Sequence, residues 1–181
     1  MHKHDSLVQL ESWGLNVSPY LLYRPGLSVR QAEKILGPGM WGVRTERGDE
    51  TQCPFWHCLH DAPALAEAQR LLSGGYNVLL QKSIVQDSLA NGCVAIPSSG
   101  EPFVEYRAGE MTQREAQGQS LKRIDWWSKR LSSLEELLLD EVQSPTIAVA
   151  PRGAIIEWSL FPTPRGKLNQ PVVWWEVRPY T

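Results

Sequence analysis

Apolar residues recur at intervals of three and four in four stretches of the chain, which predicts four amphipathic helices. These stretches are residues 6–13, 28–36, 61–75 and 132–143. The third is the clearest, because Asp61 is a suitable N-cap, Pro63 lies near the first turn and Gly74–Gly75 ends the helix. The fourth carries a leucine stripe over residues 134–139, which we interpret as a core face, with a partner-binding face as the alternative.

Short runs of β-branched and aromatic residues between the helices predict strands. They cover residues 16–23, 41–46, 76–84, 93–97, 102–109, 146–161 and 171–179. Turn-forming residues separate the last two runs, and residues 109–130 are polar and irregular. The order of elements predicts an α+β protein with mainly antiparallel sheets and flanking helices. We expect two lobes, residues 1–75 and 76–181, that together form a single compact unit.

The charge balance and composition indicate which classes of function the sequence does not favour. The 181 residues carry 21% charged side chains and a formal net charge of −2, so bulk electrostatics give no basis for nucleic-acid or membrane binding. No stretch approaches eighteen continuous apolar residues and the first ten lack a signal-peptide core, so we expect a soluble, cytoplasmic protein. Three cysteines do not form a secreted disulfide framework, and the eight tryptophans imply that several are buried or line a cleft.

Polar residues interrupt several of the apolar strands. They are Arg44, Gln81 with Lys82, Glu157, and Glu176 with Arg178. Each alone is compatible with a solvent-facing strand position, since alternate residues point outward. Together they fit a charged cleft between two sheets better, because both signs of charge are present. Basic side chains there suit phosphates, and carboxylates suit Mg²⁺, which prefers oxygen ligands.

The end of the chain resembles a known family. IIEW at residues 155–158 and WEVRPYT at 175–181 are similar to the "IEW" and "LQARPxT" strands that close one type of nucleotide-binding domain. That domain, of the ATP-grasp type, is shared by phosphoenolpyruvate synthase, pyruvate phosphate dikinase and rifampin phosphotransferase. The resemblance implies that Glu157 is a Mg²⁺ ligand and that Arg178 contacts ATP phosphates. Glu176 stands where the family has Gln, also near the metal.

The resemblance extends towards the N-terminus in the same order. VRTERGDE at 43–50 is similar to the family's "VRSSATAED", which implies that Arg44 contacts nucleotide phosphate. LESWGLNVSPYLL at 10–22 is similar to "LTRAGLPVPPGF", which in the family follows a phosphate-contacting "GGKG" lysine. The matching lysine is Lys3, eleven residues before Gly14, although His2 and His4 replace the flanking glycines.

A third stretch, NVLLQKSIV at 77–85, resembles the strand "VIVQKMV" that leads into the family's adenine-binding hinge. The resemblance implies that Gln81 and the backbone from Lys82 through Ser83 to Ile84 hold adenine.

The resemblance therefore implies a two-lobed ATP-grasp-like fold that binds Mg-ATP, with a phosphotransferase or ligase-like activity. The chain is shorter than the family domain and has no phosphohistidine domain, so the phosphoryl acceptor is expected to come from a separate molecule or a protein partner. A degenerate, non-catalytic module that binds or regulates is the first alternative. An unrelated α+β protein is the second.

Two further clusters suggest other chemistry. Cys53, His57, Cys58 and His60 invite a zinc site or a cysteine nucleophile, but the C-x3-H-C-x-H spacing is not a standard zinc pattern, and we expect a partly buried loop. IDWWSKR at 124–130 mixes aromatic and basic residues as single-strand nucleic-acid binders do. On a slightly acidic protein we interpret it as packing with a solvated rim.

Overall fold

The structure is a computed structural model that describes residues 2–48, 53–83, 87–109, 121–125 and 130–180. Its packing divides the chain into two compact units. The small unit comprises His2–Asp5 and Ser18–Ile84, and the large unit comprises Ser6–Val17 and Val85–Thr181. The division falls near residue 84 rather than at residue 75, since the strand that follows residue 75 pairs with strands of the small unit.

The elements confirm the expected α+β class, and the strands of each sheet pair antiparallel. In chain order they are α1 (Lys3–Ser12), β1 (Tyr20–Leu22), α2 (Val29–Leu36), β2 (Met40–Glu46), β3 (Phe55–His60), α3 (Asp61–Ser73), β4 (Asn77–Lys82), β5 (Ala90–Ile96), β6 (Phe103–Ala108), β7 (Lys122–Asp125), α4 (Ser133–Leu138), a π-helical turn (Leu139–Gln143), α5 (Ser144–Val149), β8 (Ala154–Arg165) and β9 (Gln170–Pro179). None of the helices in the described ranges is long and apolar enough to cross a membrane.

The small unit is a four-stranded sheet in the order β1-β4-β2-β3, with α2 and α3 packed on one face. Strand residues that alternate towards the helices, such as Trp41, Val43 and Leu80, form its core with Ala68 and Leu71 of α3. Helix α2 begins with a capping box between Ser28 and Gln31.

Two expectations for this unit need correction. The segment around Cys58 forms strand β3 instead of a loop, because it pairs with β2 over most of its length. Helix α3 takes His60 as its N-cap residue, whereas Asp61 lies in the first turn and accepts a hydrogen bond from the amide of Ala62 at 2.7 Å.

The large unit is a five-stranded sheet in the order β7-β6-β5-β8-β9. One face packs on the helices: Tyr106 and Trp158 are almost fully buried, and the Tyr106 hydroxyl donates to Glu135 of α4 at 3.0 Å. The hydroxyl oxygen of Ser6 in α1 accepts the backbone N–H of Val177 in β9. Because strand residues alternate, the opposite face of the sheet carries the polar residues described below.

The predicted helix over residues 132–143 and the predicted strand over residues 146–161 agree with the structure only in part. The predicted helix is longer than expected, because α4 continues through the π-helical turn into α5. Residues 146–149, which we expected in a strand, are helical, and Pro145 lies at the start of α5, directly after the π-helical turn. Strand β7 lies in the segment expected to be irregular, and the tryptophans of residues 124–130 lie outside the described residues.

Asn16 holds the turn between the last two strands. It is fully buried, and its Nδ2 donates to the carbonyl oxygens of Arg165 at 2.8 Å and Val172 at 2.7 Å. Its Oδ1 accepts the amide of Leu168 at 2.8 Å. One side chain therefore satisfies three backbone groups, which fixes the hairpin that carries Glu157.

Candidate functional site

A row of polar side chains crosses the face of the large sheet that lies opposite the helices. The strand register places Glu105 of β6, Cys93 of β5, Glu157 of β8 and Glu176 of β9 directly beside one another. Residues opposite each other on neighbouring strands have Cβ atoms about 4.5–5.5 Å apart, so the carboxyl groups of Glu157 and Glu176 adjoin. Two like charges so placed repel each other unless a cation lies between them.

A β-bulge in β9 turns Glu176 to this face. Glu176 pairs with Glu157, but Trp174 pairs with Trp158, so Trp175 is an extra residue in the strand. In a regular strand without the bulge, residues 174 and 176 would point to the same side, so Glu176 would face the helices together with the buried Trp174. From the sequence we expected the two carboxylates to lie near each other, but we did not predict the β-bulge. The only signal was the Trp-Trp-Glu run, in which two successive large side chains cannot both lie on the apolar face.

Hydrogen bonds hold the bulge to the neighbouring strands. The indole N–H of Trp175 donates to the hydroxyl oxygen of Ser159 at 2.7 Å, and that hydroxyl donates to Oδ1 of Asn91 in β5. The Nδ2 group of Asn91 donates to Ser88 at 2.9 Å and to the carbonyl of Gly109 at 2.7 Å. This network is buried, so the position of Glu176 is well defined.

Arg178 follows Glu176 on the same face of β9. Its Nε lies 3.6 Å from Oε1 of Glu157, and half of its side chain is exposed. An exposed ion pair of this kind contributes little stability, so Arg178 is able to move to an incoming anion at small cost. This geometry is compatible with the phosphate contact that the resemblance implies.

Cys93 lies in the middle of the polar row as a neutral thiol. Its Sγ is 3.9 Å from a carboxylate oxygen of Glu105, and the side chain is almost buried. Burial, and then the negative charges of Glu105 and Glu157, raise the pKa of Cys93 to about 12, although Arg178 opposes the shift. Each of these causes disfavours the thiolate.

We therefore expect Cys93 to resist thiol reagents. At pH 8 a pKa of about 12 leaves a thiolate fraction of about 10⁻⁴. Titration with a chromogenic disulfide on the native protein should show two accessible thiols, Cys53 and Cys58, and a third that reacts only after denaturation. Cys93→Ser should leave the fast phase unchanged. Three fast equivalents in the native protein would contradict the assignment.

In the small unit, Arg44 and Gln81 lie together on the face of the sheet opposite its core. An Nη1 hydrogen of Arg44 donates to Oε1 of Gln81 at 3.3 Å, and both side chains are more than nine-tenths buried. Within the described residues, the Nε2 group of Gln81 is buried without a hydrogen-bond partner. Buried donors without partners are rare in native proteins, and this one suits an acceptor atom on a ligand.

Lys3 reaches the same strand as Arg44. Its Nζ donates to the carbonyl oxygen of Thr45 at 3.1 Å, and its backbone N–H donates to a carboxylate oxygen of Glu46 at 2.6 Å. His2, in place of one of the family's glycines, also lies 3.6 Å from the Glu46 carboxylate. The side chain of Lys3 in α1 thus contacts β2 next to Arg44, and the phosphate contacts that the resemblance implies for both residues stay predictions.

The side chain of Lys82 points away from Gln81. The two are successive residues of β4, so they alternate, and the Nζ of Lys82 donates to the carbonyl of Pro38. Burial lowers the pKa of Lys82. Ile84 lies outside the described residues.

The backbone at the end of β4 is already hydrogen-bonded within the small unit. The N–H of Lys82 donates to the carbonyl oxygen of Pro19 at 2.7 Å, and the carbonyl oxygen of Lys82 accepts the hydroxyl of Ser18 at 2.7 Å. The N–H of Ser83 donates to the carbonyl oxygen of Met40 at 3.0 Å. The adenine contacts expected of Lys82 and Ser83 therefore stay a prediction.

The cysteine and histidine cluster of β3 gives no support to a zinc site. Cys58 has a positive φ of 55°, and its Sγ lies 3.0 Å from the hydroxyl of Ser83. Nowhere in the described ranges are three His, Cys, Asp or Glu side chains grouped so that they could hold a metal ion. Glu157 and Glu176 offer two adjoining carboxylates, and the Mg²⁺ role that the resemblance implies for them stays a prediction.

Comparison with known proteins identifies the fold. No family model matches the sequence, and no curated protein matches it. Among solved structures, the chain is similar to D-alanyl-alanine synthetase A from Vibrio cholerae, with a TM-score of 0.56 and 13% identity over 98% of this chain and 55% of that one. It is also similar to N5-carboxyaminoimidazole synthetase from Staphylococcus aureus complexed with ADP, with a TM-score of 0.58 and 17% identity over 96% of this chain and 43% of that one.

A third similar structure is a macrocyclase from Microcystis aeruginosa bound with a precursor peptide, with a TM-score of 0.57 and 12% identity over 99% of this chain and 53% of that one. These enzymes share the ATP-grasp fold, and the chain has this fold as well. It spans about half the length of the structures it matches.

Proposed function

We propose that the chain binds Mg-ATP and acts as a phosphotransferase or ligase-type domain with a separate acceptor. The observation that carries the proposal is the pairing of Glu157 with Glu176 across the bulge. The bulge turns the carboxylate of Glu176 to the face that carries the carboxylate of Glu157, and two adjoining carboxylates are oxygen ligands of the kind that Mg²⁺ prefers. The similar structure that was solved with ADP supports a nucleotide as the ligand that brings the metal.

The small unit supplies the remaining contacts in this proposal. Arg44 and Lys3 neutralise phosphate oxygens, and the unpartnered Nε2 of Gln81 donates to an acceptor on the nucleotide. Arg178 neutralises phosphate charge from the large unit. Mg²⁺ supplies charge neutralisation at the phosphates when it is bound, and the chain contributes positioning and further positive charge.

The acceptor comes from a separate molecule or from a partner protein in this proposal. Within the ATP-grasp fold, the similarity of the terminal strands favours the phosphoenolpyruvate synthase, pyruvate phosphate dikinase and rifampin phosphotransferase group. Three cysteines outside disulfides and a need for ATP fit a cytoplasmic location.

Thermal unfolding with and without ligand tests the proposal. Mg-ATP at about 100 times its Kd should stabilise the protein by about 2.7 kcal/mol, and ATP without Mg²⁺ should stabilise it much less.

Arg44→Met should lower ATP affinity by about tenfold or more, because a buried guanidinium contact with phosphate is lost. Arg24→Met, which changes an exposed arginine of the same unit, should bind as the wild type does. No Mg-ATP shift at millimolar concentrations would refute the proposal.

One observation favours a binding or regulatory module without turnover as the second candidate. Arg178 already gives Glu157 a cation, at 3.6 Å, so the pair is partly neutralised without a metal. A thermal shift with Mg-ATP and no ATP consumption in the presence of the protein would favour this candidate. Release of ADP or transfer of phosphate would favour the enzyme.

A further inference from the structure

Arg107 lies on the polar face of the large sheet, and no acidic side chain among residues 2–48, 53–83, 87–109, 121–125 and 130–180 forms an ion pair with it. It lies on β6 two residues after Glu105, and the register pairs it with Asn91 of β5. Because β6 alternates regularly, Arg107 shares the face of Glu105 and of the polar row. Its side chain is partly buried, and its Nη1 is fully buried without a hydrogen-bond partner in the described part of the chain.

The neighbouring polar groups are engaged elsewhere. Asn91 uses its Nδ2 on Ser88 and Gly109, and its Oδ1 accepts the hydroxyl of Ser159. The carboxylate of Glu105 is directed towards the thiol of Cys93. None of these contacts involves the guanidinium.

Other arginines of the same sheet have acidic partners. Arg123 of β7 binds Asp125 at 2.8 Å, and Arg178 of β9 lies 3.6 Å from Glu157. A buried guanidinium nitrogen that has lost its water and gained no acceptor is costly, and native structures retain such groups where a ligand satisfies them. Arg107 is thus placed for an anion that the described part of the chain does not supply.

We propose that Arg107 binds an oxyanion, carboxylate or phosphate, carried by the acceptor substrate. The planar guanidinium offers two parallel N–H groups that match both of these anions. The assignment of the anion to an acceptor rests on the proposed Mg-ATP function, whereas the anion site itself does not.

The position of Arg107 separates this anion from the nucleotide phosphates. Strand β5 lies between β6 and β8, so the strands of Arg107 and Glu157 are about 10 Å apart at a spacing of about 4.8 Å per strand. The carboxylate of Glu105 lies in the polar row on the side towards Cys93, where it repels a polyphosphate that would extend across the sheet. The backbone positions of Arg107 and Glu157 therefore leave room for an anion at Arg107 that is separate from the phosphates proposed at Glu157.

The test is Arg107→Met, with inorganic phosphate and succinate as separate probes on the full chain. Each is titrated at constant ionic strength against sodium chloride while thermal unfolding is followed. Wild type should be stabilised by one or both probes, and Arg107→Met should lose affinity for them by about tenfold or more. Arg123→Met, which removes an exposed and ion-paired arginine of the adjacent strand, should keep the wild-type response.

The stability of the ligand-free variant is the second readout. Arg107→Met should leave the denaturant midpoint unchanged or raise it, because the buried partnerless charge is removed while the aliphatic volume is kept. A clearly lower midpoint would show that the guanidinium is structural and would overturn the proposal. Arg107→Lys should restore part of the phosphate response, since the charge returns without the planar pair of donors.

Further outcomes of the titrations test the anion site and the acceptor role of Arg107 separately. Equal phosphate and succinate responses in wild type and Arg107→Met would overturn the site, and so would no response in wild type. A loss of Mg-ADP affinity in Arg107→Met as large as its loss of phosphate affinity would assign Arg107 to the nucleotide and overturn the acceptor role. An Arg107-dependent anion response in a protein that binds no nucleotide would support the anion site and refute the Mg-ATP function.

Discussion

Replacing Gly92 by alanine is expected to destabilise the large unit by about 3 kcal/mol or more. An added Cβ at residue 92 would lie 1.9 Å from the carbonyl oxygen of Glu105 and 2.8 Å from the Cα of Tyr106. Both atoms belong to the backbone of β6, so no side-chain rotation relieves the clash. Strands β5 and β6 would have to separate where they carry Cys93 and Glu105.

Chemical denaturation of the two alanine variants measures this effect. Gly74→Ala is the matched control, because Gly74 has a negative φ and its added Cβ would lie 3.3 Å from its nearest neighbour, the carbonyl of Leu71. That change should alter the free energy of unfolding by less than about 1 kcal/mol. A Gly92→Ala protein as stable as Gly74→Ala would show that β5 and β6 are not packed as described.

Replacing Glu157 by glutamine is expected to remove the Mg²⁺-dependent part of nucleotide binding, with a loss of affinity of about 100-fold. The amide keeps the size of the side chain but removes the negative charge that the cation needs. Without ligand, the variant should be as stable as wild type or more stable, since the repulsion between residue 157 and Glu176 is relieved. Calorimetric titration of Mg²⁺ into the protein with ADP measures the change.

Glu105→Gln is the control for this variant. It removes a carboxylate from the same polar row but from a strand two places away from β8, so the Mg²⁺ dependence should remain. A Glu157→Gln protein that retains the wild-type Mg²⁺ response would refute the metal assignment. An unfolded Glu157→Gln protein would show instead that Glu157 is structural, and Glu176→Gln would then carry the test.

Much of the fold was predictable from local patterns. The capping residues of α2, the Gly-Gly stop of α3 and the turn before β6 are interactions among neighbours in the chain, so the sequence contains the whole signal. The prediction of a strand over residues 146–149 was wrong because it also relied on a local pattern. The apolar run there is equally compatible with a strand and a helix. It is helical in the structure, where it continues from the π-helical turn.

The candidate site was predictable in part. The resemblance of the terminal strands identified Glu157, Glu176 and Arg178, which the structure brings to one face of β8 and β9. Cys93 and Arg107 were not singled out, because nothing in their local sequence distinguishes a polar residue in a strand from a solvent-facing one. The binding roles of Glu157, Glu176, Arg178 and Arg107 stay predictions.

The amino-acid sequence by itself determined the α+β class, the two antiparallel terminal strands and the approximate position of two carboxylates on them. Periodicity, caps and turns depend on residues that are close in the chain, so they are recognisable from the sequence alone. Only the tertiary structure decided that Glu176 faces Glu157, because a bulged register depends on which strands pair and how a distant Ser159 and Asn91 hold Trp175. It alone also showed that the buried Nη1 of Arg107 has no hydrogen-bond partner among the described residues, since a missing contact is a property of the folded neighbourhood.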